Sequence, residues 1–120
     1  MVDQFDFENL DVYKVSFQYV VISHKICNMI PRGSGHLVDQ LQRASTSILL
    51  NVCEGAGEFS KGDKAKFYRI GKRSATECSA ILENLRVFQL CDEHLLVEGR
   101  SLLLRIVSML TKMSANFENR

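Results

Sequence analysis

The stretch Gln42–Lys66, QRASTSILLNVCEGAGEFSKGDKAK, joins an apolar run to an arginine, an asparagine, a glutamate and a cluster of glycines. Read as a phosphate loop, it makes the chain a nucleotide enzyme. Read as the end of one helix and the start of the next, it makes the chain all-α. A phosphate loop needs a strand, then GxxxxGK[ST], so that backbone N–H groups and a lysine converge on phosphate. Here Gly57 and Gly62 have the right separation, but Asp63 stands where the lysine belongs. The residues before the glycines carry a helical pattern. Leu37, Leu41, Ala44, Ile48 and Val52 recur at steps of three and four and predict a helix over 36–54. The glycines from Gly55 to Gly57 are expected to stop it, because glycine accepts the left-handed conformation that closes a helix end. Ser60 and Asp63 are both suitable N-caps for the next helix.

Working outward, the same periodicity predicts three more helices. The helix over 61–90 has Phe67, Ile70, Ser74, Cys78, Ile81, Leu85 and Phe88 facing inward. The helix over 93–114 has Leu96, Gly99, Leu103, Ile106, Leu110 and Met113 as its seam, and the tail from Ser114 to Arg120 is expected to fray. The helix over 10–30, closed by Pro31, is apolar on two sides. Leu10, Tyr13, Phe17, Val20, His24 and Cys27 form one set; Val12, Val15, Tyr19, Ile22, Ile26 and Met29 form the other. A helix with two apolar faces needs two partners. One is the chain's own core, and the other is expected to be another subunit. Val15, Tyr19, Ile22 and Ile26 are assigned to that subunit interface. Four amphipathic helices with short connections predict an antiparallel up-and-down four-helix bundle, all-α, as a single domain over 1–120.

Composition narrows the function. The 120 residues carry a formal net charge of +1, so any nucleic-acid contact must rest on a local patch. No apolar run reaches the length of a membrane span, and no leader pattern opens the chain. A cytoplasmic protein with no membrane partner is expected. Cys27, Cys53, Cys78 and Cys91 form no CxxC pair, and His24, His36 and His94 are scattered. Reduced thiols are expected, with no metal and no cofactor.

Two features remain as candidate sites. Arg43, Ser47, Asn51 and Glu54 share a face of the second helix, and Ser74 and Glu77 lie on the inner side of the third. One reading is a structural polar network with Arg43 paired to Glu77 or Glu54. The other is an active site with Glu54 or Glu77 as general base. The structural reading is preferred, with no catalytic residue assigned. The second feature is the basic run of Lys61, Lys64, Lys66, Arg69, Lys72 and Arg73, which points outward. It reads as a phosphate-backbone contact for RNA or DNA, without sequence preference, or as a solvated face balanced by the acidic start Asp3, Asp6, Glu8 and Asp11.

The motifs FENLDVYK (7–14), Pro31, QLQRASTSILLNVCEGAG (40–57) and KFYRIGKRSATE (66–77) resemble the 23S rRNA intervening-sequence proteins. The resemblance spans Phe7 to Met113. Arg43, Ala44, Ser47, Ile48, Asn51, Glu54 and Gly55 stand in that family's order, as do Phe67, Ser74 and Glu77. Gly71 replaces a usual alanine and Arg73 a usual glycine. The resemblance implies an up-and-down bundle assembled as a bacterial homopentamer around a central channel. It is similar, too, to a related branch of retroelement accessory proteins that bind a reverse transcriptase and nucleic acid. The expected function is therefore a non-enzymatic oligomeric bundle contacting nucleic acid or a ribonucleoprotein. The alternative is a pure protein-interaction scaffold, for example for a reverse transcriptase.

Overall fold

Apolar residues at helical spacing build four long helices in a computed structural model that describes residues 2–118. They are α1 (Asp11–Met29), α2 (Gly35–Gly57), α3 (Lys61–Val87) and α4 (Glu93–Glu118). Short 3-10 turns precede α1 (Asp6–Asn9) and α2 (Arg32–Ser34). Each helix packs against two others, in the closed order α1, α2, α3, α4 and back to α1. Antiparallel pairing follows from the contacts. Gly71 of α3 lies beside Leu110 of α4, and Leu82 lies beside Gly99 further along. The result is the expected all-α bundle. Its centre is filled by Tyr19, Ile26, Leu41, Ile48, Leu85, Ile106 and Leu110, all fully buried.

The stripes expected for α2 and α4 are the buried ones, from Leu37 to Val52 and from Leu96 to Leu110. On α3 the inward face is rotated. Ala65, Tyr68, Gly71, Ala75 and Leu82 are buried with Ser74, Cys78, Ile81 and Leu85, whereas Phe67 and Ile70 are half-buried and Phe88 is exposed. The tail also differs from expectation. The helix continues to Glu118 because Phe117 packs on Tyr68, with ring centroids 6.0 Å apart, and Glu118 pairs with Arg69. Met1 and the final two tail residues, Asn119 and Arg120, lie outside the described residues.

The glycines near the end of α2 do not stop it. All residues from Gly55 to Gly57 are helical, and no glycine among the described residues has positive φ. Gly55 instead permits close approach: a Cβ there would meet Tyr68 Cε1 at 2.6 Å and Phe67 Cβ at 3.2 Å. The carbonyls of Gly55 and Ala56 are capped from α3, where the Lys64 ammonium donates to both at 3.2 and 2.9 Å. A cation is favourable at that end of a helix, where the macrodipole is negative. Ser60 then opens α3, its hydroxyl accepting the Asp63 N–H at 3.1 Å. At the far end, the Leu90 N–H donates to the Leu85 carbonyl and the Gln89 N–H to that of Arg86. This is a Schellman closure, with Gln89 in the left-handed region at φ 56°.

Three substitutions test these assignments in thermal or urea melts. Gly55→Ala forces Tyr68 aside and lowers stability by about 1–3 kcal/mol. Gly57→Ala, with nothing within 4 Å of the new methyl, leaves stability equal or raises it by up to about 1 kcal/mol. Gln89→Gly relieves the left-handed strain and raises stability by about 1 kcal/mol.

Candidate functional site

The seam between α2 and α3 holds part of the expected polar network. Small side chains let the two backbones approach. Gly71 leaves room that a Cβ would take up at 3.6 Å from Asn51 Cβ. Across the seam the hydroxyls of Ser47 and Ser74 lie 2.7 Å apart. The Asn51 amide donates back to the Ser47 carbonyl at 2.7 Å and to its hydroxyl at 3.1 Å. These three residues hydrogen-bond one another within the seam.

The charged members of the network do not join it. Arg43, Glu54 and Glu77 are exposed, and among the described residues none of them forms an ion pair. Arg43 and Glu77 flank a shallow hollow of about 300 Å³ together with Gln40, Ser47 and Ser74; Glu54 is not part of it. The expected Arg43 pairing is therefore corrected. Spacing placed Arg43 on the right face, but its long side chain reaches solvent, where an unpaired charge costs little.

The six basic residues have divided roles. Lys64 caps α2 and lies 5.9 Å from the Phe117 ring centroid. Arg69 is held by Glu118. Lys72 is half-buried. Lys61, Lys66 and Arg73 remain exposed, with no carboxylate partner among the described residues.

The interface assignment on α1 is overturned. Val15, Tyr19, Ile22 and Ile26 are 4%, 0%, 6% and 0% exposed and belong to the chain's own core. No second subunit can reach them in the folded bundle. The outward face takes only part of the other set: Phe17 is exposed, as is neighbouring Val21, whereas Leu10 and Tyr13 pack partly against the core and Cys27 is buried in it. An aromatic ladder leads to Phe17 from the N-terminal turn. Phe5 stacks on Phe7 with centroids 5.6 Å apart, Phe7 meets Tyr13 at 4.8 Å, and Tyr13 meets Phe17 at 6.3 Å.

Sequence reasoning also missed a polar cluster at the bundle centre. The buried hydroxyls of Ser23 and Ser45 lie 2.7 Å apart, and Ser45 Oγ lies 3.6 Å from Cys78 Sγ. The Tyr19 hydroxyl faces the same three residues without a hydrogen bond of normal geometry, and Ser16 Oγ is likewise buried without a partner. Burial pushes the Tyr19 hydroxyl well up from its ordinary range and the Cys78 thiol up from its own, so both stay protonated. A buried neutral thiol is a poor nucleophile. The signal in the sequence was the pair of serines, Ser23 and Ser45, beside the apolar stripes of α1 and α2.

Two variants follow. Tyr19→Phe removes a buried hydroxyl that lacks a partner, and urea melts should show stability unchanged or higher by about 1 kcal/mol. Arg43→Ala should shift stability by less than about 0.5 kcal/mol, as an exposed unpaired residue does. A loss of several kcal/mol would restore the buried ion pair.

Comparison with known proteins comes last. Among curated proteins, none matches the chain. The sequence pattern of one family, described as 23S rRNA-intervening sequence protein, matches residues 8–112. It is not a known enzyme family. That match takes in all of α1, α2 and α3 and most of α4, the helices whose packing is described above, and the chain belongs to the 23S rRNA-intervening sequence protein family.

Proposed function

We propose that this chain is a non-enzymatic, self-associating helical bundle that serves as an interaction scaffold. One observation carries the reading: large apolar side chains remain exposed on the helix flanks, Leu50 of α2 and Val87 of α3 among them. Phe17 and Val21 stand out from α1, and Val97 and Leu104 from α4, with exposures of 43–57%. Apolar groups lining the flanks of a folded bundle favour burial against a partner. The partner is another copy of the chain, and five copies is the number that the family resemblance implies. The separation of Glu54 from the hollow that holds Glu77 argues against a carboxylate pair at work. The free thiols, two of them buried, suit the reducing cytoplasm of a bacterial cell.

A second activity is nucleic-acid contact through the outer face of α3. Its support is the exposed pair Lys66 and Arg73, two turns apart on one helix face, which no carboxylate neutralises among the described residues. Such a contact reads phosphate, not sequence, and gains strength when an oligomer repeats it.

Light scattering at micromolar concentration is expected to give a mass several times the 13.6 kDa of the chain, and five times it for a pentamer. A monomer contradicts the reading. Fluorescence anisotropy with generic RNA and DNA over a salt series tests the second activity. Binding is expected at low salt, to fall steeply as salt rises, and to vanish in Lys66→Glu/Arg73→Glu. No binding at low salt leaves the protein-interaction scaffold alone.

A further inference from the structure

The hollow of about 300 Å³ on the seam between α2 and α3 is walled by polar groups that stay unused among the described residues. Gln40 and Arg43 reach it from α2 and Glu77 from α3, all three exposed. Arg43 and Glu77 carry opposite charge and line the same hollow, yet they form no ion pair with each other or with any other described residue. At its floor the hydroxyls of Ser47 and Ser74 lie 2.7 Å apart. One of their two protons lies between them, and the Ser47 oxygen also accepts from the Asn51 amide. The second hydroxyl proton has no acceptor among the described residues, so the floor adds a donor. The hollow thus offers a guanidinium fork that donates, a carboxylate fork that accepts, and a hydroxyl between them.

Glu77 also belongs to the face of α3 that carries Lys66 and Arg73. It follows Arg73 by four residues, one turn, and the helical rise puts it about 6 Å further along the axis. A carboxylate in that place repels a phosphate backbone and weakens the contact that the two cations make. It gains a use only if the strand also presents N–H donors to it. We propose that the hollow takes the edge of one unpaired guanine in a single-stranded nucleic acid whose backbone runs over Lys66 and Arg73. The inference rests on the nucleic-acid contact proposed above and names what the strand presents. That contact by itself reads phosphate, and the hollow beside it adds a base. Guanine carries two adjacent donors, N1–H and the 2-amino group, beside two adjacent acceptors, O6 and N7. The Glu77 carboxylate takes the donor pair and the Arg43 guanidinium the acceptor pair, each as a two-point contact. Adenine and cytosine have a single amino donor and uracil a single N–H, so none of them fills both forks. In a duplex the N1–H edge is engaged in pairing, which restricts the site to single strands.

The test is fluorescence anisotropy at low salt with uridine-tract RNA in which one central position is varied. Guanosine there should raise the affinity of the native chain about tenfold over uridine, and adenosine or cytidine should not. Inosine, which lacks the 2-amino group, should forfeit part of that gain, and 7-deazaguanosine, which lacks the N7 acceptor, another part. Glu77→Gln should make the chain indifferent between guanosine and inosine, and Arg43→Gln indifferent between guanosine and 7-deazaguanosine. Both residues are exposed, so the melting curves should match the native chain's. Each comparison is a ratio of affinities within one variant, which a general change in charge does not move. Equal affinity of the native chain for guanosine and uridine tracts would overturn the guanine site while leaving the phosphate contact intact, as would a preference that survives in Glu77→Gln/Arg43→Gln. No binding of any tract would overturn the phosphate contact itself, and with it the site built on it.

Discussion

The first helix carries apolar residues on two sides, and a closed ring of four helices can bury only one of them. That constraint organises the rest of the molecule. The bundle takes the face that contains Val12, Val15, Tyr19, Ile22 and Ile26, since these stack over one side of α1 and meet the stripes of α2 and α4. The remaining face keeps Phe17 and Val21 in solvent. Both are about half exposed, so leaving them in solvent forgoes about 1 kcal/mol each. The fold therefore leaves a driving force for association that its own core cannot use.

The seam between α2 and α3 meets a different constraint, namely how close two helices can come. Gly55 gives way to the Tyr68 ring, Gly71 lies against Asn51, and the Ser47 and Ser74 hydroxyls hydrogen-bond between them. Polar groups in this seam are satisfied locally, which is what burial demands of them. Their neighbours Arg43, Glu54 and Glu77 lie one step further out and remain solvated. The motif thus combines an inner part that sets helix spacing with an outer part that does not add to the core.

Much of the fold was legible in the sequence because periodicity reports which residues share a face. The stripes of α2 and α4 needed nothing more. Periodicity does not say which of two apolar faces turns inward, and on α1 that choice went to the wrong set. Nor does it report depth: Arg43 shares the face of Ser47, but its guanidinium lies in water. Gly55 was misread because a glycine before a loop suggests a helix stop, whereas its reason is a ring on another helix. The tail after Met113 was expected to fray because its one large apolar residue, Phe117, has no visible partner in the linear sequence. Its partner, Tyr68, lies 49 positions earlier. The central cluster of Tyr19, Ser23, Ser45 and Cys78 joins three helices, so no local pattern announced it.

The central claim is that α1 spends one apolar face on its own core and the other on a second copy. Isotope-filtered NOE spectroscopy on a mixture of labelled and unlabelled chains reads this directly, because it sees only protons close together on different copies. The account predicts intermolecular signals from the Phe17 ring and the Val21 methyls, and none from Tyr19 or Ile22. Intermolecular signals from Tyr19 or Ile22, with Phe17 and Val21 silent, would contradict it.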